Sequence, residues 1–309
     1  MKIELFNIWY FVSIILSAGV FVGLYFLLRN KSDKTKKIVL FSILAFALVL
    51  HFLKALWPPY SINKALWYEN SWFVNICGAN IAVFPFLFLS KRKGVKDYMV
   101  YIGLISGVIS LLYPVEIIEN ANHNIYWIDT LRFYIHHTII WVVPLLMVTL
   151  KLHKLSWRRV WTAPVGLLIL MLFIMLNDVL QSELGFIAVR DGNFDVVNFH
   201  NGSLIWGAKG DIGDFLMLFC PDFFKTVPVG PHAGQFKCWP WFWMIFPVLI
   251  LITPIAFGIC MIFDYKNFAS DMKKLWAKLF TKKKKVATVE VAENNTESSI
   301  ENNENKEDK

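Results

Sequence analysis

The stretch Asp129-Thr130-Leu131-Arg132-Phe133-Tyr134-Ile135-His136-His137-Thr138-Ile139-Ile140-Trp141-Val142-Val143-Pro144 carries an arginine and two adjacent histidines into an apolar segment. With the residues that follow, the segment is long enough to span a bilayer. Ionisable groups at that depth cost free energy, so they face a protein interior or a wet cavity. The reading is that the chain packs around this helix and that the pocket it lines carries the function.

The rest of the chain belongs to the same class. Hydrophobic residues make up 56% of the 309, and mean hydropathy is +0.49. A soluble chain of this size cannot bury that much apolar surface. Seven segments read as spans, at about 7–28, 38–57, 71–90, 98–118, 131–150, 159–180 and 241–264. The fold class is therefore all-α: a polytopic membrane protein with seven transmembrane helices. The first apolar segment is too long for a signal-peptide core and has no cleavage-site pattern after it, so it reads as a retained span.

Charge sets the orientation. Arg29, Lys31, Lys34, Lys36 and Lys37 follow the first span, Lys91, Arg92, Lys93 and Lys96 the third, and Lys151, Lys154, Arg158 and Arg159 the fifth. The alternate connections hold Lys64 in one and no lysine or arginine in 119–130. The positive-inside rule then puts the N-terminus outside and the C-terminus in the cytoplasm, as a multi-pass protein of the cell membrane. The net charge of +8 is spread over these connections and the tail. It is no nucleic-acid footprint.

Residues 1–265 read as the membrane domain, with a long outside loop at 182–240. Loops of that length are lids or insertions. Cys220 and Cys238 share it, as a disulfide or as two free thiols. Residues 266–285 read as a basic amphipathic helix on the anionic inner leaflet: Phe268, Met272, Leu275, Trp276 and Leu279 share a face, and Lys282-Lys283-Lys284-Lys285 follow. Residues 286–309 read as a disordered acidic tail.

With that orientation, the polar residues of the spans fall in one layer. At a rise of about 1.5 Å per residue, Cys77, His136, His137 and His51 each lie roughly 9 Å below the outer end of their spans. Lys54 is a turn above His51. Asn75 and Asn80 flank Cys77, Arg132 is a turn from His136, and Asn177 and Asp178 close the sixth span. Interhelical hydrogen-bond glue explains such residues singly. Several titratable types at one depth fit a wet site better.

Cys77 is a packing residue or a nucleophile; the second role needs an adjacent base such as histidine. His51, His136, His137, Cys77 and Asp178 could also supply metal ligands. However, adjacent histidines on a helix point about 100° apart and no His-x-x-x-His pair is present, so metal is the weaker reading and no cofactor is expected. Gly103-x-x-x-Gly107 and Ser106-x-x-x-Ser110 favour close helix packing.

These landmarks, in order, resemble the YwaF-like bacterial membrane proteins, which are related to transmembrane protein 164 of animals. The resemblance rests on Asn75-Ile76-Cys77-Gly78-Ala79-Asn80 and on Gly103 and Gly107 followed by Leu111-Leu112-Tyr113-Pro114. It continues through Arg132-Phe133-Tyr134-Ile135-His136-His137, Leu176-Asn177-Asp178 and Trp239-Pro240-Trp241-Phe242. It covers about residues 40–260. Three features differ from the family pattern: Val115 precedes Glu116 after Pro114, Asn75 replaces a bulkier polar residue, and the outside loop is longer.

The resemblance implies phospholipid acyl transfer, with Cys77 as acyl acceptor and His137 as general base. The physical reading beside it gives Arg132 and Lys54 a lipid phosphate and Asn80 or Asn75 an oxyanion. His136, His51, Asn177 and Asp178 complete the substrate pocket. The partners are then the bilayer, a lipid substrate in it and the anionic inner-leaflet lipids. The alternatives are a transporter using the same polar layer and a structural membrane protein. A thiol-dependent enzyme needs Cys77, whereas a transporter tolerates Cys77→Ser.

Overall fold

The computed structural model describes residues 2–58, 60–63, 67, 72–73, 75–118, 126–185, 203–227, 229–231, 233–235 and 237–278. Lys64, Asn201, Gly202, Leu279, the lysine run 282–285 and the tail 286–309 lie outside these residues.

The described chain is helical. Its elements are α1 (Ile8–Leu28), α2 (Asp33–Leu53), α3 (Ile76–Leu89), α4 (Lys93–Leu112), α5 (Val115–Ile118), α6 (Ile128–Thr149), α7 (Thr162–Glu183) and α8 (Gly210–Met217). A last helical stretch, α9, covers Phe242–Lys278. Side-chain caps fix several starts. Asn7 accepts from the Tyr10 N–H at 2.9 Å, and Ser32 from the Thr35 N–H at 3.2 Å. Each satisfies an amide that the helix cannot.

Six helices are long and apolar enough to cross a membrane: α1, α2, α4, α6, α7 and α9. The third expected span differs. Asn75 caps α3, so that helix is 14 residues long and rises about 21 Å, short of a hydrocarbon core of about 30 Å. The fourth span also shifts, to Lys93–Leu112. Pro114 follows it and cannot continue the ladder, and α5 begins after the break. In α9, Val248–Ile252 forms a π-helical turn between Pro247 and Pro254, as expected where prolines remove amides from the ladder.

The α6 helix is the hub. It is the most buried of the six and packs on α1, α2, α3 and, most extensively, α4. The glycine row of α4 allows that approach. A Cβ on Gly103 would lie 2.5 Å from the Ile140 carbonyl oxygen, and one on Gly107 would lie 2.9 Å from that of His137. Both obstacles are backbone, so neither can rotate away. Gly107→Ala is expected to cost about 1–3 kcal/mol by forcing α4 and α6 apart, read as a lower Tm in lipid nanodiscs.

A polar lock joins α1 to the hub. Ser17 is buried, and its Oγ accepts from Thr138 Oγ1 at 2.8 Å and from Trp141 Nε1 at 3.0 Å. Ser17→Ala strands two donors, an expected loss of about 1–3 kcal/mol in the same melting assay.

The chain divides into two compact units, Met1–Ile259 and Cys260–Lys309. The boundary falls inside the helical stretch. Of the second unit, the described residues 260–278 are helical, with Leu275 and Trp276 exposed. In the first unit the described part of the long loop is folded. Trp243 Nε1 donates to the Leu204 carbonyl at 2.9 Å, and the Trp241 N–H to that of Ile205 at 2.9 Å. Cys220 and Cys238 are both free thiols. Burial pushes the Cys220 thiol up to about 11 and raises that of Cys238 as well.

Candidate functional site

The site begins with the cap of α3. Asn75 Oδ1 accepts from the Gly78 N–H at 2.7 Å, which makes Cys77 the second residue of the helix. Its depth therefore differs from the expected position part-way down a span. At the first turn the exposed amides of the helix stabilise negative charge, and a thiolate there would benefit. Cys77 is half-buried, with Sγ 3.9 Å from Oγ of Ser110 on α4.

The last turn of α2 brings His51 alongside. Its Cε1 would lie 3.6 Å from a Cβ on Gly78, and its ring stacks on His136 of α6 at 6.1 Å and 29°. Lys54 is buried, its ammonium 5.4 Å from the Tyr60 ring centroid. Tyr60 in turn donates to Asp129 Oδ2 at 3.1 Å.

Asp129 also anchors Arg132, whose Nε and Nη2 reach Oδ1 at 2.7 Å and 2.6 Å. Arg132 thus comes with its own counter-ion. Its Nη1 lies 3.5 Å from His136 Nδ1. A guanidinium only donates, so Nδ1 accepts and the His136 proton sits on Nε2. That nitrogen is buried and has no hydrogen-bond partner among the described residues.

His137 has the opposite tautomer. Its Nδ1 lies 2.8 Å from the Phe133 carbonyl oxygen. A carbonyl only accepts, so Nδ1 carries the proton and Nε2 keeps its lone pair. The residue is buried, with its ring 4.1 Å from that of Phe133. Cys77 and His137 border the same stretch of α4: Cys77 touches Ser110, and the His137 backbone lies against Gly107 one turn earlier.

The sequence matches the model of the TMEM164 family over residues 4–255. The chain belongs to that family. No curated protein matches it, and no solved structure does.

Within this TMEM164-family chain, His51 at the end of α2 stacks on His136, Arg132 reaches His136, Asn75 caps the helix that carries Cys77, and Cys77 and His137 border the same stretch of α4. Asn80 turns elsewhere. It is fully buried and its Oδ1 accepts from Tyr98 Oη at 2.9 Å, while its Nδ2 has no partner among the described residues. Asn177 and Asp178 belong to a separate group at the end of α7. Asp178 Oδ2 accepts from Trp206 of the long loop at 3.0 Å. Asp178 Oδ1, Asn177 Nδ2 and both side-chain polar atoms of the buried Gln181 lack partners among the described residues. No group of three or more His, Cys, Asp or Glu side chains placed to hold a metal occurs among the described residues.

Ser110, Asp129 and Tyr60 are the neighbours that sequence reading did not assign. The Asp129–Arg132 spacing of three was the available signal, since such residues meet on one helix face. For Ser110 and Tyr60 no local signal exists, because their partners lie on other elements.

Proposed function

We propose that this chain is a phospholipid acyltransferase or transacylase that works through Cys77 and His137 near the outer leaflet. Seven helices enter the cell membrane, with the N-terminus outside and the C-terminus in the cytoplasm. The observation that carries the reading is the tautomer of His137. Its Nδ1–H is committed to the Phe133 carbonyl, which leaves Nε2 as a base on the hub helix beside the α4 stretch that Cys77 touches. Membership of a family with these landmarks supports it.

The chemistry runs in two halves. His137 Nε2 takes the Cys77 proton and the thiolate attacks an ester carbonyl of a phospholipid. The ester C–O bond breaks, the acyl group stays on sulfur as a thioester, and the departing lysophospholipid alkoxide takes the proton from the imidazolium. A second lysophospholipid hydroxyl then gives its proton to Nε2 and attacks the thioester, releasing the thiolate and a new phospholipid. Ser110 Oγ is close enough to donate to the thiolate. With Asn80 turned to Tyr98, the Asn75 amide beside Cys77 is the donor for the oxyanion. Arg132 and Lys54 face the phosphate, with His51 and His136 around it. The basic helix at 266–285 holds anionic inner-leaflet lipids.

The test is acyl-thioester trapping. In protein purified with native lipid, mass spectrometry is expected to find a hydroxylamine-labile acyl adduct on Cys77. The adduct disappears in Cys77→Ser and falls by about two orders of magnitude in formation rate in His137→Ala. A folded protein that forms no adduct, and whose Cys77→Ser variant keeps wild-type function, would return Cys77 to packing and favour transport through the same polar layer.

A further inference from the structure

A second site lies away from Cys77. A cavity of about 810 Å³ opens between α3, α4 and α7, a volume within the usual range for ligand pockets of roughly 300–1,000 Å³. Its walls are apolar, with Val83 and Leu87 from α3, Val95 from α4, and Ile169 and Phe173 from α7. Polar groups gather where Arg92, Arg159 and Trp161 line it. Ile169 and Trp161 are 63% and 59% exposed, so the cavity is a lateral groove open on the outer surface of the bundle. In a membrane protein that surface meets lipid. A tryptophan beside two arginines at one end is the pattern of a membrane–water interface.

The charge at that end is built into the fold. Asp97 is fully buried and binds Arg159 through both carboxylate oxygens, with His153 Nε2 on Oδ1 at 2.6 Å. Arg159 Nη2 also donates to the Lys154 carbonyl at 3.0 Å. The guanidinium is thus held in place, and these bonds use Nε and Nη2 while leaving Nη1. Asp97 balances Arg159. Arg92, at the start of α4, is exposed and has no ion pair among the described residues, so it leaves excess positive charge at the mouth. An apolar slot ending in a fixed guanidinium and a second cation matches a molecule with a hydrocarbon tail and an anionic phosphate.

We propose that this groove binds an anionic phospholipid of the surrounding bilayer, with one acyl chain along α3 and α7 and its phosphate on Arg159 and Arg92. The site is independent of the acyl-transfer reading: it lies at the basic end of the bundle, lined by neither Cys77 nor His137. Its occupant is a resident lipid that seals the α4–α7 seam and leaves the reacting lipid free to exchange elsewhere.

The experiment uses the full chain, purified and delipidated, and titrated with phosphatidylglycerol, phosphatidylcholine or oleate. Native mass spectrometry counts bound lipid and melting reports stabilisation. Wild type is expected to retain phosphatidylglycerol about ten-fold more tightly than phosphatidylcholine. Arg92→Gln should remove most of that preference. Ile169→Trp fills the groove from its exposed side and should abolish retention of both lipids, with helical circular dichroism unchanged. Arg159 is not varied, because it also holds Asp97. Equal retention of the two phospholipids by wild type, or unchanged retention in both folded variants, would overturn the site. Tight binding of oleate without phosphatidylglycerol would overturn the phospholipid assignment. The Cys77 adduct is expected to form in both variants, so failure here and failure of the acyl-transfer reading are told apart.

Discussion

Replacing Asp97 by alanine is expected to destabilise the bundle by about 3–5 kcal/mol, seen as a large drop in Tm in nanodiscs. The carboxylate is 0% exposed and ties the start of α4 to the connection between α6 and α7. It accepts from His153 Nε2 and from two nitrogens of Arg159. Without it, a guanidinium and a nearly buried imidazole lose their common partner. The Arg159 side chain is 28% exposed, so water reaches part of the stranded charge and the loss is expected at the lower end of that range. Asp97→Asn keeps the shape and one acceptor oxygen and should cost less. The double variant Asp97→Ala with Arg159→Met removes the stranded charge and should recover part of the loss; a strictly additive result would sink the argument.

Asp129→Ala is expected to be of similar size, about 3–5 kcal/mol, and to reach the candidate site directly. Asp129 and Arg132 have side chains 5% and 11% exposed, joined by contacts of 2.6 and 2.7 Å. Tyr60 donates to the other carboxylate oxygen. Losing the carboxylate leaves Arg132 unbalanced beside His136, and Tyr60 loses its acceptor. Tyr60→Phe removes one neutral donor only and should cost about 0.5–1.5 kcal/mol. If Arg132 also meets a lipid phosphate, added anionic lipid should restore more Tm to Asp129→Ala than to wild type. Equal gains in the two proteins would separate Arg132 from lipid binding.

Both aspartates show what a sequence can and cannot reveal. Asp129 and Arg132 are three residues apart on one helix, so their meeting is a local consequence of helical geometry. Asp97 and Arg159 are 62 residues apart, and nothing local announces them. The same division runs through the candidate site. The glycine row of α4 announced close packing, and the structure puts α6 against it. The length of α3 was misjudged because an apolar run conceals a capping asparagine: Asn75 turns its side chain on the backbone and starts the helix late.

The membrane class and the helical content were determined by the sequence alone, because insertion depends on the length and apolarity of contiguous runs, which are local quantities. Family membership was legible too, since it rests on the order of short motifs. Depth counted at a fixed rise per residue failed for Cys77, because the helix that carries it starts at Ile76. What only the tertiary structure decided is which faces meet: Cys77 against Ser110, His51 on His136, Asn80 on Tyr98, and Arg159 on Asp97. Rotation about each helix axis and the neighbour it meets are set by the joint packing of all the helices, a property of the assembled bundle that no single segment encodes.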